Sequence, residues 1–156
     1  MDSVALDDIG WQIVVALQED ARLSFTELGR RVGLSAPAVA ERVRRLEEAG
    51  VIVGYHAELS VGKVGLPLCA FIRMSIFGEA KYGGNMVTLV EQTPEVLECH
   101  RVTGGDSYIL KVAVSSVEHL EELIDRLTSY GQPTTSIVLS SPLKHRVIGP
   151  PQASEA

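Results

Sequence analysis

Two short helices separated by a single tight turn are the feature that most constrains this chain. Ser24 stands three residues before Glu27, the spacing of a capping box, in which hydroxyl and carboxylate each satisfy a free backbone N–H at a helix start. Leu28 and Val32 follow on one face, and Gly33 stops the helix. Ser35 then opens a second helix at once, with Pro37 near its start, an inner stripe of Val39, Val43 and Leu46, and an end at Gly50. A preceding helix is expected over 7–19, where Leu6, Ile9, Ile13, Ala16 and Leu17 recur at helical spacing behind the acids Asp7 and Asp8. Trp11 falls on the opposite side of that helix from Ile9 and Ile13. Three such helices form a helix-turn-helix unit, whose last helix fits the DNA major groove. Alternating residues from Val51 to Leu59 predict a small two-stranded wing or a single strand, hence a winged unit over 1–60.

Charge agrees with that reading only when taken locally. The whole chain carries −6, which argues weakly against a phosphate-rich partner. Between Arg22 and Arg45, however, six arginines face two acids. With Val39 inward, Pro37, Glu41, Arg44 and Arg45 point outward, while Ala38 and Arg42 lie on one flank. Those six residues, with the capping Ser35, are the candidate DNA contacts; the bland reading is a solvated face with partners such as Glu41 and Glu48. The Glu47-Glu48 pair is expected to face away from phosphate.

The hydrophobic period changes from Leu66 onward. Segments 68–77, 96–102, 108–114 and 136–140 read as strands, and 86–92 and 117–128 as helices. Strand, helix, strand, strand, helix, strand is the ferredoxin-like plan, an antiparallel sheet with both helices on one face. The fold class is therefore α+β, with a linker over 61–67, a second domain over 68–148 and a loosely ordered tail over 149–156. The segment 79–85 reads as a mobile loop. Apolar residues on both faces of the first strand, Cys69, Phe71 and Phe77 opposing Ala70, Ile72, Met74 and Ile76, predict that another subunit covers the open face.

Taken together, LDDIGWQIVVALQEDAR (6–22), ELGRRVGLSAPAVAERVRRLEEAGVIVGY (27–55) and VTGGDSYILKV (102–112) resemble the Lrp/AsnC family of leucine-responsive and asparagine regulators. The resemblance runs nearly end to end. It implies a DNA-binding domain tethered to an amino-acid-sensing domain that forms homodimers and often octamers, as tetramers of dimers. It also implies that the loop Thr103, Gly104, Gly105, Asp106, Ser107, Tyr108 lines an effector site between subunits. By residue chemistry alone this loop is a hairpin turn. The family's commonest pattern has an acid directly before the aromatic residue, where this chain has Ser107, with the acid one position earlier at Asp106.

Nothing else points to chemistry. Cys69 and Cys99 lack zinc spacing and read as buried thiols; His56, His119 and His145 form no ligand set; His100 beside Arg101 reads as a strand histidine, its other reading being an effector contact. No nucleophile elbow, metalloprotease, phosphate-loop or dinucleotide motif occurs, so neither enzyme activity nor a cofactor is expected. No run suits a membrane span, and Met1–Asp8 carries acids where a secretory leader would be basic, so a cytoplasmic protein is expected. The expected function is a DNA-binding transcriptional regulator answering to an amino acid or similar metabolite. Two alternatives stand beside it: a DNA-organising protein with a vestigial effector site, and a small-molecule sensor without DNA binding.

Overall fold

A computed structural model describes residues 4–76 and 84–151. Two compact units emerge, one from the N-terminal part to Glu58 together with the chain from Leu143, the other Leu59–Pro142. Sequence reading assigned 143–148 to the second domain; the structure groups these residues with the first unit.

The first unit is built by its caps. Helix α1 (Asp8–Glu19) starts where the Asp7 carboxylate accepts from the Gly10 N–H at 2.7 Å. Helix α2 (Phe25–Val32) starts at Ser24, whose hydroxyl accepts from the Glu27 N–H, and α3 (Ala36–Glu48) starts at Ser35, which accepts from the Ala38 N–H. Two glycines make the turn between α2 and α3. Gly33 adopts φ +73°, a left-handed conformation that costs any side chain. Gly29 is needed for room, since a Cβ there would stand 2.4 Å from the Leu34 carbonyl oxygen. Ile13, Ala16, Leu17, Leu28, Val39, Val43 and Leu46 form the core beneath the three helices.

The predicted wing does not form. Val51 and Ile52 donate their N–H groups back to the Leu46 carbonyl and pack against the core, but no strand occurs over 51–60. A strand needs a ladder partner, and no described segment of this unit supplies one; Val53 is 90% exposed. The linker after it contains one turn of 3-10 helix, Val61–Val64.

The second unit follows the expected plan: β1 (Leu68–Ser75), α4 (Gly84–Glu91), β2 (Val96–Arg101), β3 (Tyr108–Val114), α5 (Val117–Thr128) and β4 (Gln132–Ile137). The sheet is antiparallel in the order β2-β3-β1-β4. Strand β4 begins four residues earlier than the sequence suggested, because Pro133 is tolerated on an edge strand. Ala70, Ile72, Met74, Tyr108, Leu110, Val112 and Val114 pack under Met86, Leu120, Leu123 and Leu127. The other face is mixed rather than apolar. Phe71, 41% exposed, shares it with Arg73, Ile109 and Lys111, and Lys111 pairs with Glu98 at 2.6 Å. Phe77 and residues 79–83 lie outside the described residues, as does the tail beyond 151. Cys69 and Cys99 are free and half-buried, not fully buried as read.

Candidate nucleic-acid interface and effector loop

Helix α3 presents one side to the core and the other to solvent. Val39, Val43 and Leu46 are buried; Pro37, Ala38, Arg44 and Arg45 are exposed, and Glu41 and Arg42 half-exposed, whereas the helical wheel had Glu41 outward and Ala38 on the flank with Arg42. The side chains are not independent. Arg44 grips both Glu41 oxygens, Nε at 3.0 Å and Nη2 at 2.8 Å, and also pairs with Glu48 through Nη1. Arg45 donates Nε to Glu41 at 2.9 Å. These hydrogen bonds, from Arg44 first and Arg45 second, hold the Glu41 carboxyl at a pKa of about 2. The arginine cluster is thus partnered along the helix, and Glu48 shares the side of Arg44 instead of facing away from it.

Arg42 is set apart from the others. Its Nη1 lies 2.9 Å from each carboxylate oxygen of Asp7, the residue that caps α1. The Gly10 N–H and then Arg42 lower the Asp7 pKa. Arg42 therefore straps α3 to the start of α1, a role that helical spacing within α3 could not reveal. Glu47 accepts from the Tyr55 hydroxyl at 2.9 Å; burial, and then this carboxylate, push Tyr55 up to about 12.

The second candidate site is the turn between β2 and β3. Gly104 adopts φ +113°, and a Cβ at Gly104 or Gly105 would meet nothing within 4 Å, so their backbone is open to a ligand. Asp106 accepts from the Ser75 hydroxyl at 3.2 Å and lies 3.6 Å from Arg73 Nη1. Ser107 donates its N–H to the Met74 carbonyl at 2.8 Å and its Oγ accepts from the Ile76 N–H. Thr103 is exposed. Tyr108 departs from expectation: the register Met74↔Tyr108 turns it to the buried face, where it joins the core. Sequence reading missed Arg73 and Ser75, which reach the loop only through sheet pairing.

His100 lies exposed on the outer face near Glu98. His119 bonds Glu95, which Arg126 also holds. Among the described residues no cluster fits a metal ion, and no helix is long and apolar enough to cross a membrane.

Comparison with known proteins decides the wider reading. Residues 6–47 match the AsnC-type helix-turn-helix domain and residues 69–148 the Lrp/AsnC ligand binding domain. The chain belongs to the Lrp/AsnC family. It is 44% identical to the HTH-type transcriptional regulator YezC of Bacillus subtilis, covering 90% of this chain and 98% of that one. Solved structures agree. That of B. subtilis LrpC aligns at a TM-score of 0.85 with 32% identity, over 91% of this chain and all of the other. A feast-or-famine regulatory protein from M. tuberculosis, solved in complex with L-methionine, aligns at 0.86 with 36% identity, over 94% and 100%. This Lrp/AsnC protein is a transcriptional regulator with a DNA-binding and a ligand-binding domain, and its family consists of regulators, not enzymes.

Proposed function

We propose that α3 enters the major groove with Pro37, Ala38 and Glu41 nearest the bases, Arg44 and Arg45 reaching phosphate, Ser35 contacting the backbone beside its own cap, and Arg42 holding the helix in place. The observation that carries this is the pair of exposed arginines, Arg44 and Arg45, on the outward side of the last helix of the unit, in a chain that is acidic overall. Effector recognition is assigned to Thr103, Gly104, Gly105, Asp106 and Ser107, with Arg73 and Ser75 behind them. The ligand is an α-amino acid or similar small polar metabolite: Asp106 offers a carboxylate to an ammonium, and Gly104 and Gly105 offer accessible backbone. The M. tuberculosis complex makes L-methionine the first ligand to try. No cofactor is invoked.

The protein works in this reading as a cytoplasmic homodimer, joined through the outer sheet face around Phe71, with tetramers of dimers as the larger assembly. Effector and DNA sites then communicate by favouring one subunit arrangement over another, a coupling worth about 1 to 3 kcal/mol. Gel shifts on the promoter beside its own gene, repeated across salt and with a panel of amino acids, test the whole scheme. Binding should weaken steeply with salt and shift with at least one amino acid, and Asp106→Ala should remove that response while leaving effector-free binding intact. A panel without calorimetric heat or change in particle size would reject the sensing role.

A further inference from the structure

We propose that Glu41 is a base-reading switch that releases Arg44 and Arg45 to the DNA backbone only where the groove offers an exocyclic amino group. The inference rests on α3 being the groove helix. In the free protein the two outward arginines are neutralised by two carboxylates of the same helix, and three of the hydrogen bonds converge on Glu41. An anion therefore sits in the middle of the reading face, among the very groups that must meet phosphate. Placed against DNA as it stands, this cluster gains little: the arginine charge is already spent, and the carboxylate repels phosphate.

The cost disappears when Glu41 exchanges partners. Cytosine N4 and adenine N6 are the hydrogen-bond donors of the bases in the major groove, and a carboxylate accepts from cytosine N4 in a recurring protein contact. A Glu41 so engaged lets go of Arg44 and Arg45, which then turn to phosphate. Packing does not oppose the exchange, since the side chains of Glu41, Arg44 and Arg45 remain 43%, 54% and 72% exposed. The identity of one base thereby controls two phosphate contacts, and non-specific binding is held down because arginines on the wrong sequence stay paired with Glu41. Glu48 shares only the counter-ion role, because it lies about two turns further from the start of the helix and pairs with Arg44 alone.

The test uses the full-length protein, with circular dichroism to establish that each variant folds. Selection from a random duplex pool gives the preferred motif of the wild type, Glu41→Gln and Glu48→Gln, and titration against the unselected pool gives non-specific affinity. Glu41→Gln should bind the random pool about tenfold more tightly, with a salt slope steeper by about 0.9. It should also exchange the preference for cytosine at one position per half-site for adenine, whose N6 and N7 a glutamine amide pairs in bidentate fashion. Glu48→Gln should tighten random binding while keeping that position. A Glu41→Gln motif identical to the wild type would overturn base reading and leave Glu41 as a counter-ion. If the wild type itself enriches no sequence, the groove-helix assignment falls and takes this inference with it.

Discussion

Gln18 and Ile148, 130 residues apart, are joined by a pair of hydrogen bonds: the Gln18 side-chain amide donates Nε2–H to the Ile148 carbonyl at 3.0 Å and accepts the Ile148 N–H at 2.9 Å. The amide thus mimics a strand neighbour for one residue of the C-terminal segment. Ile148 lines a cavity of about 460 Å³ with Trp11, Val14, Leu17 and Tyr55, and Pro150 lies beside Trp11 in a second one. Residues 148–150 thereby lie along the side of α1 that holds Trp11, within the first unit.

Loss of the Gln18–Ile148 hydrogen bonds should be visible at Trp11, the single tryptophan of the chain. Gln18→Ala is expected to cost about 1 kcal/mol, to shift Trp11 emission to longer wavelength, and to speed tryptic cleavage at the exposed Lys144 and Arg146. Gln18→Glu keeps the acceptor but loses the donor, and should fall between. Emission and cleavage rates equal to the wild type in both variants would show that the tail docks without the amide.

The two glycines of the turn should fail by different routes. Alanine at Gly33 has open space but must hold a left-handed φ, a cost of about 1 kcal/mol. At position 29 the new methyl meets the Leu34 carbonyl, which belongs to the turn itself, so α2 and α3 must separate at a cost of roughly 1 to 3 kcal/mol. Thermal unfolding should rank wild type above Gly33→Ala above Gly29→Ala, and DNA affinity should drop most in Gly29→Ala. The reverse ranking would mean that strain, not contact, governs this turn.

What could be read beforehand divides along the range of the interactions. The caps at Asp7, Ser24 and Ser35 and the stop at Gly33 act over three or four residues, so α1 to α3 were legible, and the sheet plan followed from periodicity and order. Features set by distant pairing were not. Arg73 and Ser75 reach Asp106 only because β1 ends beside the β2–β3 turn, and Arg42 finds Asp7 across 35 residues. The wing failed as a reading because apolar patterning reports burial, which Val51 and Ile52 have in part, and not the presence of a ladder partner. Pro133 looked like a breaker because the sequence does not say which strand is an edge.

Arg42 and Arg44 are neighbours with separate tasks. Arg44→Ala should reduce the slope of log affinity against log salt by about 0.9 on the preferred sequence, the share of one phosphate contact, and by less on the random pool, where Arg44 stays paired with Glu41. Arg42→Ala removes the bond to Asp7 and should lower the midpoint of thermal unfolding, with the salt slope retained. Equal slopes for Arg44→Ala and the wild type would remove Arg44 from the phosphate contacts.

Glu95 makes the second unit sensitive to acid. Its carboxylate, largely buried at the start of β2, is held by His119 at 3.0 Å and by Arg126, both from α5. Burial pushes its pKa up, but the bonds from His119, from its own backbone N–H and from Arg126 together outweigh burial and bring it to about 2, below the ordinary 4.5. A carboxyl depressed on folding binds its proton more readily in the unfolded chain. Its contribution to stability is therefore complete above pH 4.5 and is lost as pH falls from about 4.5 to about 2. Glu95→Gln, which keeps size but not charge, should unfold at lower temperature than the wild type near neutral pH. The gap should close progressively across that acid window, as read by circular dichroism at a series of pH values. A constant gap throughout would mean that Glu95 acts through shape alone. In that case the charge on Arg126 adds nothing to the attachment of α5.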